Sequence, residues 1–321
     1  MEIDSSSNSW KIRLQNIHAE DQRNERYGVS RGAINWKRRR NSPAMPDRNA
    51  SRTALGTAYV RAAHQLLDGA PRILDDPVAL ILLGASAAQQ IKDHAEEYQT
   101  PALRGLRSHV VLRSRFAEDR LAASVGRGIT QYVILGAGFD TFALRQPAWA
   151  QALRILEIDH EGTQSAKRKR LLSSGLSLPK NVELGTVDFG AESLRDGLSR
   201  LHISADEPTF FSWLGVTMYL EETAISSVLK SVASFPSGTE IVLTFTSPKG
   251  ETPSPFDRGA ASVGEPWISY FEPEAVEELL LSSGFTTVEF LLPDIAAARY
   301  FRDRPRDLPL PKRKNIVSAI V

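Results

Sequence analysis

The chain has 321 residues, of which 42% are hydrophobic and 24% are charged, a composition typical of globular proteins. Lys and Arg total 39 against 38 Asp and Glu, so the formal net charge of +1 excludes a protein whose whole surface is a polycation for nucleic-acid phosphates. The absence of cysteine excludes disulfides, thiolate metal sites and a cysteine nucleophile, and the longest apolar run, 78–83, is too short to cross a bilayer.

The first 50 residues differ from the rest of the chain. They are rich in Ser, Asn, Arg and Asp, contain four consecutive basic residues at 37–40, and carry ten Lys or Arg against six Asp or Glu, a net charge of +4. Their apolar residues are too sparse to bury a face, so we predict a flexible basic arm at 1–50. Such a run can contact an acidic partner or a nucleic acid, but it is more often simply solvated. No secretory apolar segment follows Met1, which favours a cytoplasmic protein.

Three helices are predicted before the first strand. The first, at about 53–67, is amphipathic and ends at a break rich in Gly and Pro. Asp76 followed by Pro77 supplies an N-cap and a preset φ for a second, shorter helix. The third helix covers about 103–125 and ends at a Gly-Arg-Gly sequence. Because these helices precede the sheet, residues 51–130 are predicted to form a helical lid over whatever the sheet binds.

From residue 131 onwards, short apolar strands alternate with helices. The predicted strands are 131–135, 154–159, 182–187, 209–213, 240–245, 286–292 and 315–321, and helices are predicted after the first strand and at 161–172, 221–235 and 273–283. This alternation implies right-handed crossovers and a parallel sheet with helices on both faces. The last two strands have no helix between them in this interpretation, which indicates an antiparallel C-terminal hairpin. The sequence thus predicts an α/β, Rossmann-like, seven-stranded, mostly parallel core at 131–321, with an insertion at 247–270.

Residues suited to cofactor binding follow the first three strands. Gly136 and Gly138 occupy the turn after the first strand, where glycine permits a tight turn and close approach of a ligand. Asp159 ends the second strand, 23 residues after Gly136, where a carboxylate can accept both ribose hydroxyls. Asp188 and Phe189 follow the third strand and offer a carboxylate and a backbone amide to an adenine. Each acid alone is more often a helix N-cap, but together they favour a cofactor site.

The chemistry of the first turn discriminates between cofactors. Thr141 stands where a nicotinamide-binding fold has its third glycine, and Asp140 places negative charge near the following helix start, which disfavours a pyrophosphate. A positively charged nucleoside without phosphates fits better. The sequence therefore predicts S-adenosyl-L-methionine as the cofactor, and it predicts no metal site.

At these residues the chain resembles the leucine carboxyl methyltransferase family, including its bacterial small-molecule branch. The resemblance covers about 51–321, and its matching segments lie at 51–54, 61–64, 75–77, 112–116, 135–141, 157–160, 187–189 and 215–220. The resemblance implies cofactor-binding roles for Arg61 and Arg113 at the methionine carboxylate, Gly136 and Gly138 along the cofactor, Asp159 at the ribose, and Asp188 with Phe189 around the adenine. The chain departs from many family members at Leu214, where they have Glu, so any cofactor contact through Leu214 is expected to be van der Waals or backbone.

The acceptor chemistry is less defined by the sequence. Methyl transfer from a sulfonium is an in-line displacement, and a carboxylate acceptor is already ionised at pH 7. None of the six histidines follows the fourth strand, where His-base O-methyltransferases often place theirs. His64 and His109 lie in the predicted lid and could reach inward, but packed or solvated histidines are commoner. This pattern favours a carboxylate acceptor, or a reaction that depends mainly on positioning.

Two residues are predicted to orient the substrate: Tyr219 after the fourth strand and Arg145 in the helical stretch after the glycine turn. Arginine can hold a carboxylate through two parallel hydrogen bonds. The alternatives are an internal salt bridge for Arg145 and a core aromatic for Tyr219. Arg299 with Tyr300 is a third candidate, and the insertion either forms a wall facing the substrate or is a surface excursion.

Three functions stay open at this point. The first is an S-adenosylmethionine-dependent O-methyltransferase whose partner is a small-molecule substrate, either an organic acid or a hydroxylated metabolite. The second is an enzyme that methylates the C-terminal carboxylate of a protein. The third is an RNA-modifying or RNA-binding protein that uses the basic arm, which the near-neutral charge outside the arm disfavours. No membrane partner is predicted, and the sequence does not define the oligomeric state.

Overall fold

The computed structural model of the protein describes residues 50–189, 192–248 and 254–321. The basic arm predicted at 1–50 therefore lies outside the described residues except for Ala50, and so does part of the predicted insertion, 249–253. None of the helices in these ranges combines the length and the apolar character that a membrane span requires.

The elements follow one another in a largely alternating α/β order. In the described ranges the α-helices are α1 (Arg52–Leu67), α2 (Pro77–Leu83), α3 (Ala87–Asp93), α4 (Ala95–Tyr98), α5 (Pro101–Gly126), α6 (Glu161–Ser173), α7 (Leu194–Ser199), α8 (Glu222–Ala233), α9 (Pro255–Ser262), α10 (Pro273–Ser283) and α11 (Pro293–Tyr300). The strands are β1 (Gln131–Leu135), β2 (Arg154–Asp159), β3 (Val182–Thr186), β4 (Thr209–Trp213), β5 (Glu240–Thr244), β6 (Thr287–Phe290) and β7 (Ile316–Ile320). Short 3₁₀ helices lie at Phe142–Leu144, Ala148–Ala150 and Thr217–Tyr219.

The strands form one sheet in the order β3-β2-β1-β4-β5-β7-β6. The pairs from β3 across to β5 are parallel, whereas β7 is antiparallel to both β5 and β6. The chain order reverses between β1 and β4, and ligands of open α/β sheets bind at the carboxyl ends of the strands beside such a reversal. The predicted Rossmann-like, seven-stranded, mostly parallel sheet is confirmed.

The C-terminal connection differs from the prediction. β6 and β7 are antiparallel as expected. However, α11 lies between them in the chain, so the prediction that no helix connects these two strands was wrong. Pro293 at the first turn of α11 and the acidic Asp294 are ordinary helix-start signals, but the helix has only eight residues, too few for a clear period. β7 also inserts between β5 and β6, which local sequence does not specify.

The helix starts follow capping rules. Ser51 accepts the Ala54 N–H at the start of α1, and Asp76 accepts the Ala79 N–H at the start of α2. Thr100 caps α5, which begins slightly earlier than predicted. The stretch after the glycine turn contains 3₁₀ helices where a longer helix was expected. The sequence interpretation did not include the short helices α3, α4, α7 and α9.

Apolar side chains pack on both faces of the sheet. One cluster joins α5 to the sheet and includes Val111 and Phe116, while the opposite cluster joins α8 and α10 to the sheet. A further cluster lies under α1 to α3 and contains Phe139 of the glycine turn, which is only 2% exposed. The first helices therefore pack directly against the turn that follows β1, whereas α5 packs on the sheet itself. The division of the chain into arm, lid and core domains stays a prediction.

Candidate functional site

The turn after β1 requires glycine at two positions. Gly136 has φ of 66° and Gly138 has φ of 54°, in the left-handed region that L side chains rarely adopt. A Cβ on Gly136 would lie 2.4 Å from Cγ2 of Val216, and one on Gly138 would lie 3.1 Å from Cβ of Ala54. The turn is therefore enclosed between α1 and the segment after β4, as the sequence-based expectation of a tight turn requires.

Asp159 connects the end of β2 to this turn. One of its carboxylate oxygens accepts the Gly138 N–H at 2.6 Å, and the other accepts the His160 N–H at 2.7 Å. Burial raises the pKa of Asp159 despite the opposing effect of the two N–H donors. Each carboxylate oxygen has a second lone pair, so Asp159 can also accept hydrogen bonds from a bound hydroxyl.

The end of β3 lies beside the end of β2. An Asp188 carboxylate oxygen is 4.0 Å from Nε2 of His160, next to Asp159 in sequence. The Phe189 ring packs edge-on against Trp213 at the end of β4, with ring centroids 6.3 Å apart. The structure therefore brings the residues predicted after the first three strands to one edge of the sheet.

The two arginines that the family resemblance implied have different surroundings. Arg61 is buried; its Nε donates to Asp76 at 3.2 Å and its Nη2 donates to the Phe139 carbonyl, so it stabilises the glycine turn. Arg113 is half-buried and makes no hydrogen bond or ion pair with any described residue. Burial and the charge of Arg61 lower the pKa of Arg113 to about 10, so Arg113 is still protonated at pH 7.

Gly215 makes room for the Arg113 guanidinium. Its φ is 76°, and a Cβ there would lie 2.5 Å from Nη1 of Arg113. The preceding Leu214 is half-buried and packs against the apolar cluster around α5, so the side chain that replaces the family's Glu adds no charge. Arg113 is consequently an unpaired cation, within the described part of the chain, at the carboxyl edge of the sheet.

Tyr219 lies where the sequence placed it, just beyond β4. Burial raises the pKa of its phenol, which lies near the Thr53 hydroxyl, the Trp267 indole and Arg113. The indole nitrogen of Trp267 is buried and has no hydrogen-bond partner among the described residues. Tyr219 is therefore a protonated donor among polar side chains at neutral pH.

Glu265 links the start of α1 to the segment before α10. Its carboxylate accepts the Ser51 hydroxyl at 2.9 Å, the Arg52 N–H at 2.7 Å, and both the N–H and the hydroxyl of Thr53. A few residues later, the Ile268 N–H donates to the Met218 carbonyl at 2.7 Å, beside Tyr219. These contacts hold α1 and residues 265–271 together across the site.

Sequence reasoning did not identify Glu265. The one available signal was the start of α1, because unpaired N–H groups at a helix N-terminus favour an anionic partner. That signal does not say which carboxylate of the chain supplies the charge.

Arg145 forms the internal ion pair that was its alternative interpretation. Both terminal nitrogens donate to Glu118, and Nε lies 3.4 Å from a carboxylate oxygen of Asp76. These carboxylates raise the pKa of Arg145, although burial opposes them. Its N–H groups are largely used within the protein, and its substrate-orienting role stays a prediction.

Asp76 has more partners than its predicted cap role implied. Besides capping α2, it accepts from Arg61 and from the Thr141 hydroxyl at 2.6 Å. Arg61 and Arg145 lower the pKa of Asp76 in spite of burial. This carboxylate therefore orders the residues beneath the glycine turn.

The remaining candidates have local partners. Arg299 and Tyr300 both donate to Asp119 of α5, at 2.8 and 2.9 Å. His64 is fully buried, and its Nδ1 lies 2.7 Å from a carboxylate oxygen of Asp68. In the described ranges, no group of three or more His, Cys, Asp or Glu side chains is arranged to hold a metal ion.

Several known proteins are similar in sequence to this chain. The leucine carboxyl methyltransferase family model matches residues 54–233. The Bacillus subtilis protein YktD, provisionally named an S-adenosyl-L-methionine-dependent methyltransferase, is 31% identical over 304 residues, covering 86% of this chain and 99% of its own. A Frankia alni protein with the same provisional name is 27% identical over 250 residues, covering 77% and 86%.

A solved structure supports the fold. The crystal structure of a protein from Thermobifida fusca, provisionally named a methyltransferase, superposes with a TM-score of 0.50 at 18% identity. The match covers 87% of this chain and 96% of the other. At this level of identity the likeness concerns the fold alone.

Proposed function

Because the chain belongs to the leucine carboxyl methyltransferase family of S-adenosylmethionine-dependent methyltransferases, we propose that it methylates an oxygen, a carboxylate or a hydroxyl, of a small metabolite. This proposal depends on the observation that other segments cover the carboxyl ends of the strands. Glu265 fastens the start of α1 beside Tyr219, and Ala54 lies against the glycine turn. Strand ends covered in this way suit a small acceptor better than a protein chain end.

The residues at the strand tips fit the cofactor. Gly136 and Gly138 leave the backbone open to close approach, and Asp159 can accept from ribose hydroxyls. Arg113, unpaired within the described part of the chain, suits the methionine carboxylate. In this proposal Arg61 acts on the same group more indirectly, because Asp76 and the Phe139 carbonyl use part of its guanidinium.

Asp188 and Phe189 complete the proposed cofactor site. The Asp188 carboxylate can accept from the adenine amino group, and the Phe189 backbone amide can donate to a ring nitrogen. Leu214 has only apolar contact and backbone to offer. Together with the glycine turn, these groups are suited to the uncharged part of the cofactor.

Positioning supplies most of the catalysis in this proposal. When bound, S-adenosylmethionine provides a methyl group already activated by its sulfonium. A carboxylate acceptor needs no base, so the protein's task is to align the acceptor oxygen and exclude water. The Tyr219 phenol, kept protonated by burial, can donate a hydrogen bond that orients the acceptor. Orientation of this kind can contribute roughly 7–11 kcal/mol.

Product chemistry tests the proposal. The protein is incubated with methyl-labelled cofactor and a metabolite extract, with and without excess S-adenosylhomocysteine as a control. We expect inhibitor-sensitive label in small molecules, released by mild base if the product is an ester and retained if it is an ether. Label confined to protein would indicate the C-terminal carboxyl activity that names the family. Label on RNA, or on nitrogen or carbon of a metabolite, would contradict the proposal.

A further inference from the structure

A buried ion pair lies beneath the glycine turn. Lys167 of α6 and Glu157 of β2 are both fully buried, and the Lys167 ammonium donates to one carboxylate oxygen of Glu157. The other carboxylate oxygen of Glu157 is buried and has no hydrogen-bond partner in the described ranges. Desolvation offsets most of the attraction within a buried ion pair, above all when one oxygen is left unsatisfied. The stability of the core alone therefore does not account for this pair.

Lys167 also contacts the glycine turn directly. Its Nζ donates to the Asp140 carbonyl at 2.7 Å. Asp140 closes the turn, because its N–H donates to the Ala137 carbonyl at 2.8 Å and its carboxylate accepts the Phe142 N–H at 2.8 Å. The Lys167 ammonium thus fixes the peptide group at which the turn ends.

A second buried cation holds the preceding carbonyl of the turn. Arg61 of α1 donates to the Phe139 carbonyl and is itself paired with Asp76. Two consecutive carbonyls are thus each bound by a buried cation that has its own carboxylate partner, one cation from α1 and the other from α6. Neither peptide group can rotate without breaking a charge-assisted hydrogen bond, so the protein's own side chains preset the conformation of the turn.

α6 has attachments to the sheet that do not involve Lys167. The Gln164 side-chain amide donates to the Glu157 carbonyl at 2.9 Å and to the Gly185 carbonyl at 3.0 Å, and so bridges β2 and β3. Leu171, one turn after Lys167, is buried as well. Removal of the Lys167 ammonium should therefore leave α6 in place and affect the turn that it contacts.

We propose that Lys167 is a positioning residue for S-adenosylmethionine, because through the Asp140 carbonyl it holds the glycine turn in the conformation that the cofactor binds. This role rests on the proposed function, which places the cofactor along Gly136 and Gly138, and it deepens that function by assigning a residue that acts from beneath the turn. Glu157 supplies the counter-charge that a buried ammonium needs.

Removal of both charges together tests this role without leaving either charge buried alone. The double variant Lys167→Met with Glu157→Gln keeps the approximate size of both side chains, so the full-length protein should retain a cooperative thermal transition. Titration calorimetry should show an affinity for S-adenosylhomocysteine about tenfold weaker than in wild type, as expected for loss of a charge-assisted hydrogen bond that orders the turn. Without ligand, hydrogen exchange in peptides covering 136–142 should accelerate, because the turn is no longer fixed at Asp140.

Two control variants separate positioning from a general loss of stability. Glu157→Gln alone keeps the N–H donors of Lys167 for the Asp140 carbonyl and should change the affinity less than about threefold. Val232→Ala shortens a fully buried side chain in the apolar cluster that joins α8 and α10 to the sheet. It should lower the Tm but leave the affinity and the exchange at 136–142 unchanged.

Unchanged affinity in the double variant would overturn the inference, and so would an equal loss of affinity in either control. Weaker binding without faster exchange at 136–142 would also overturn it, because Lys167 would then not act through the turn. A double variant that does not fold cooperatively would make the pair structural and overturn it as well. If the variants behave as expected but labelled methyl appears on nitrogen or carbon, the proposed function fails and the role of Lys167 stands.

Discussion

Asp159 shows how one side chain can serve both the architecture and the proposed ligand. It accepts backbone N–H groups from Gly138 and His160, so it shapes the turn before any cofactor binds. Arg113 has the opposite character, since it makes no hydrogen bond or ion pair with any described residue. At the scale of single residues, the site consists of groups that order the backbone and groups that are left for a ligand.

We predict that Asp159→Asn reduces the affinity for S-adenosylhomocysteine at least about tenfold, as expected for loss of a charged acceptor. An asparagine keeps the size but has a single acceptor oxygen, so it cannot serve both N–H groups and a ribose. Titration calorimetry measures the effect. Asp206→Asn, on the exposed segment before β4, is the charge-matched control and should bind normally. Unchanged affinity in Asp159→Asn would remove the ribose assignment.

His109 predicts a pH dependence of stability. Its pKa is lowered to about 3 in the folded protein, from a usual value of 6.5, so the unfolded chain binds the proton more tightly. The wild-type protein should therefore lose stability through this group as the pH falls below 6.5, progressively towards 3. Urea unfolding at pH 7.5 and 5.5 should show a smaller decrease for His109→Gln than for wild type. An identical decrease in both proteins would contradict the assigned environment.

At the scale of elements, α1 depends on a residue far away in sequence. Its first N–H groups are satisfied by Ser51 and by Glu265, which lies beyond β5. α5 has both structural and site residues. It packs on the sheet, its Arg120 forms an ion pair with Glu240 at the start of β5, and it carries His109 and Arg113. Both helices are thus held in place by residues distant in the sequence.

We predict that Glu265→Ala loosens the start of α1. Loss of a charged helix cap should lower the free energy of unfolding by about 1–2 kcal/mol. Hydrogen exchange over residues 51–57 should accelerate, because their N–H groups lose an acceptor. Glu274→Ala removes an exposed carboxylate from the first turn of α10 and serves as the control. Unaltered exchange at 51–57 would show that the Glu265 contacts do not order the start of α1.

At the scale of the whole molecule, the last strand completes the sheet. β7 lies between β5 and β6 and pairs with both. Glu240, buried at the start of β5, accepts from Arg120, Ser124 and Ser318, and these donors lower its pKa against the effect of burial. Residues from α5, β5 and β7 therefore meet at one buried carboxylate, at the end of the sheet opposite to the cofactor residues.

We predict that ending the chain after Asn315 abolishes cooperative folding. Removal of β7 leaves β5 and β6 without their shared partner and exposes two unpaired edges. Thermal unfolding followed by circular dichroism should show no cooperative transition. Ser318→Ala keeps the backbone pairing and loses one hydrogen bond to Glu240, so it should remain folded and be destabilised by about 1–3 kcal/mol. A cooperative transition in the shortened chain would contradict this role of β7.

The sequence by itself determined the local features of this protein. The alternation of strands and helices, the glycine turn after β1 and the acids at the strand ends all depend on residues close together in the chain. Capping residues such as Ser51 and Asp76 likewise predict where their helices begin. These features are predictable because backbone conformation and parallel pairing place such residues at a known edge of the sheet.

Only the tertiary structure decided which distant groups meet. Glu265 contacts Thr53 across 212 residues, and Arg145 is paired with Glu118. No local sequence pattern contains such pairs. They form when packing brings separate elements together and places oppositely charged side chains close to each other. The same packing leaves Arg113 unpaired within the described chain, and an unpaired charge is a property of the folded surroundings rather than of the sequence around it.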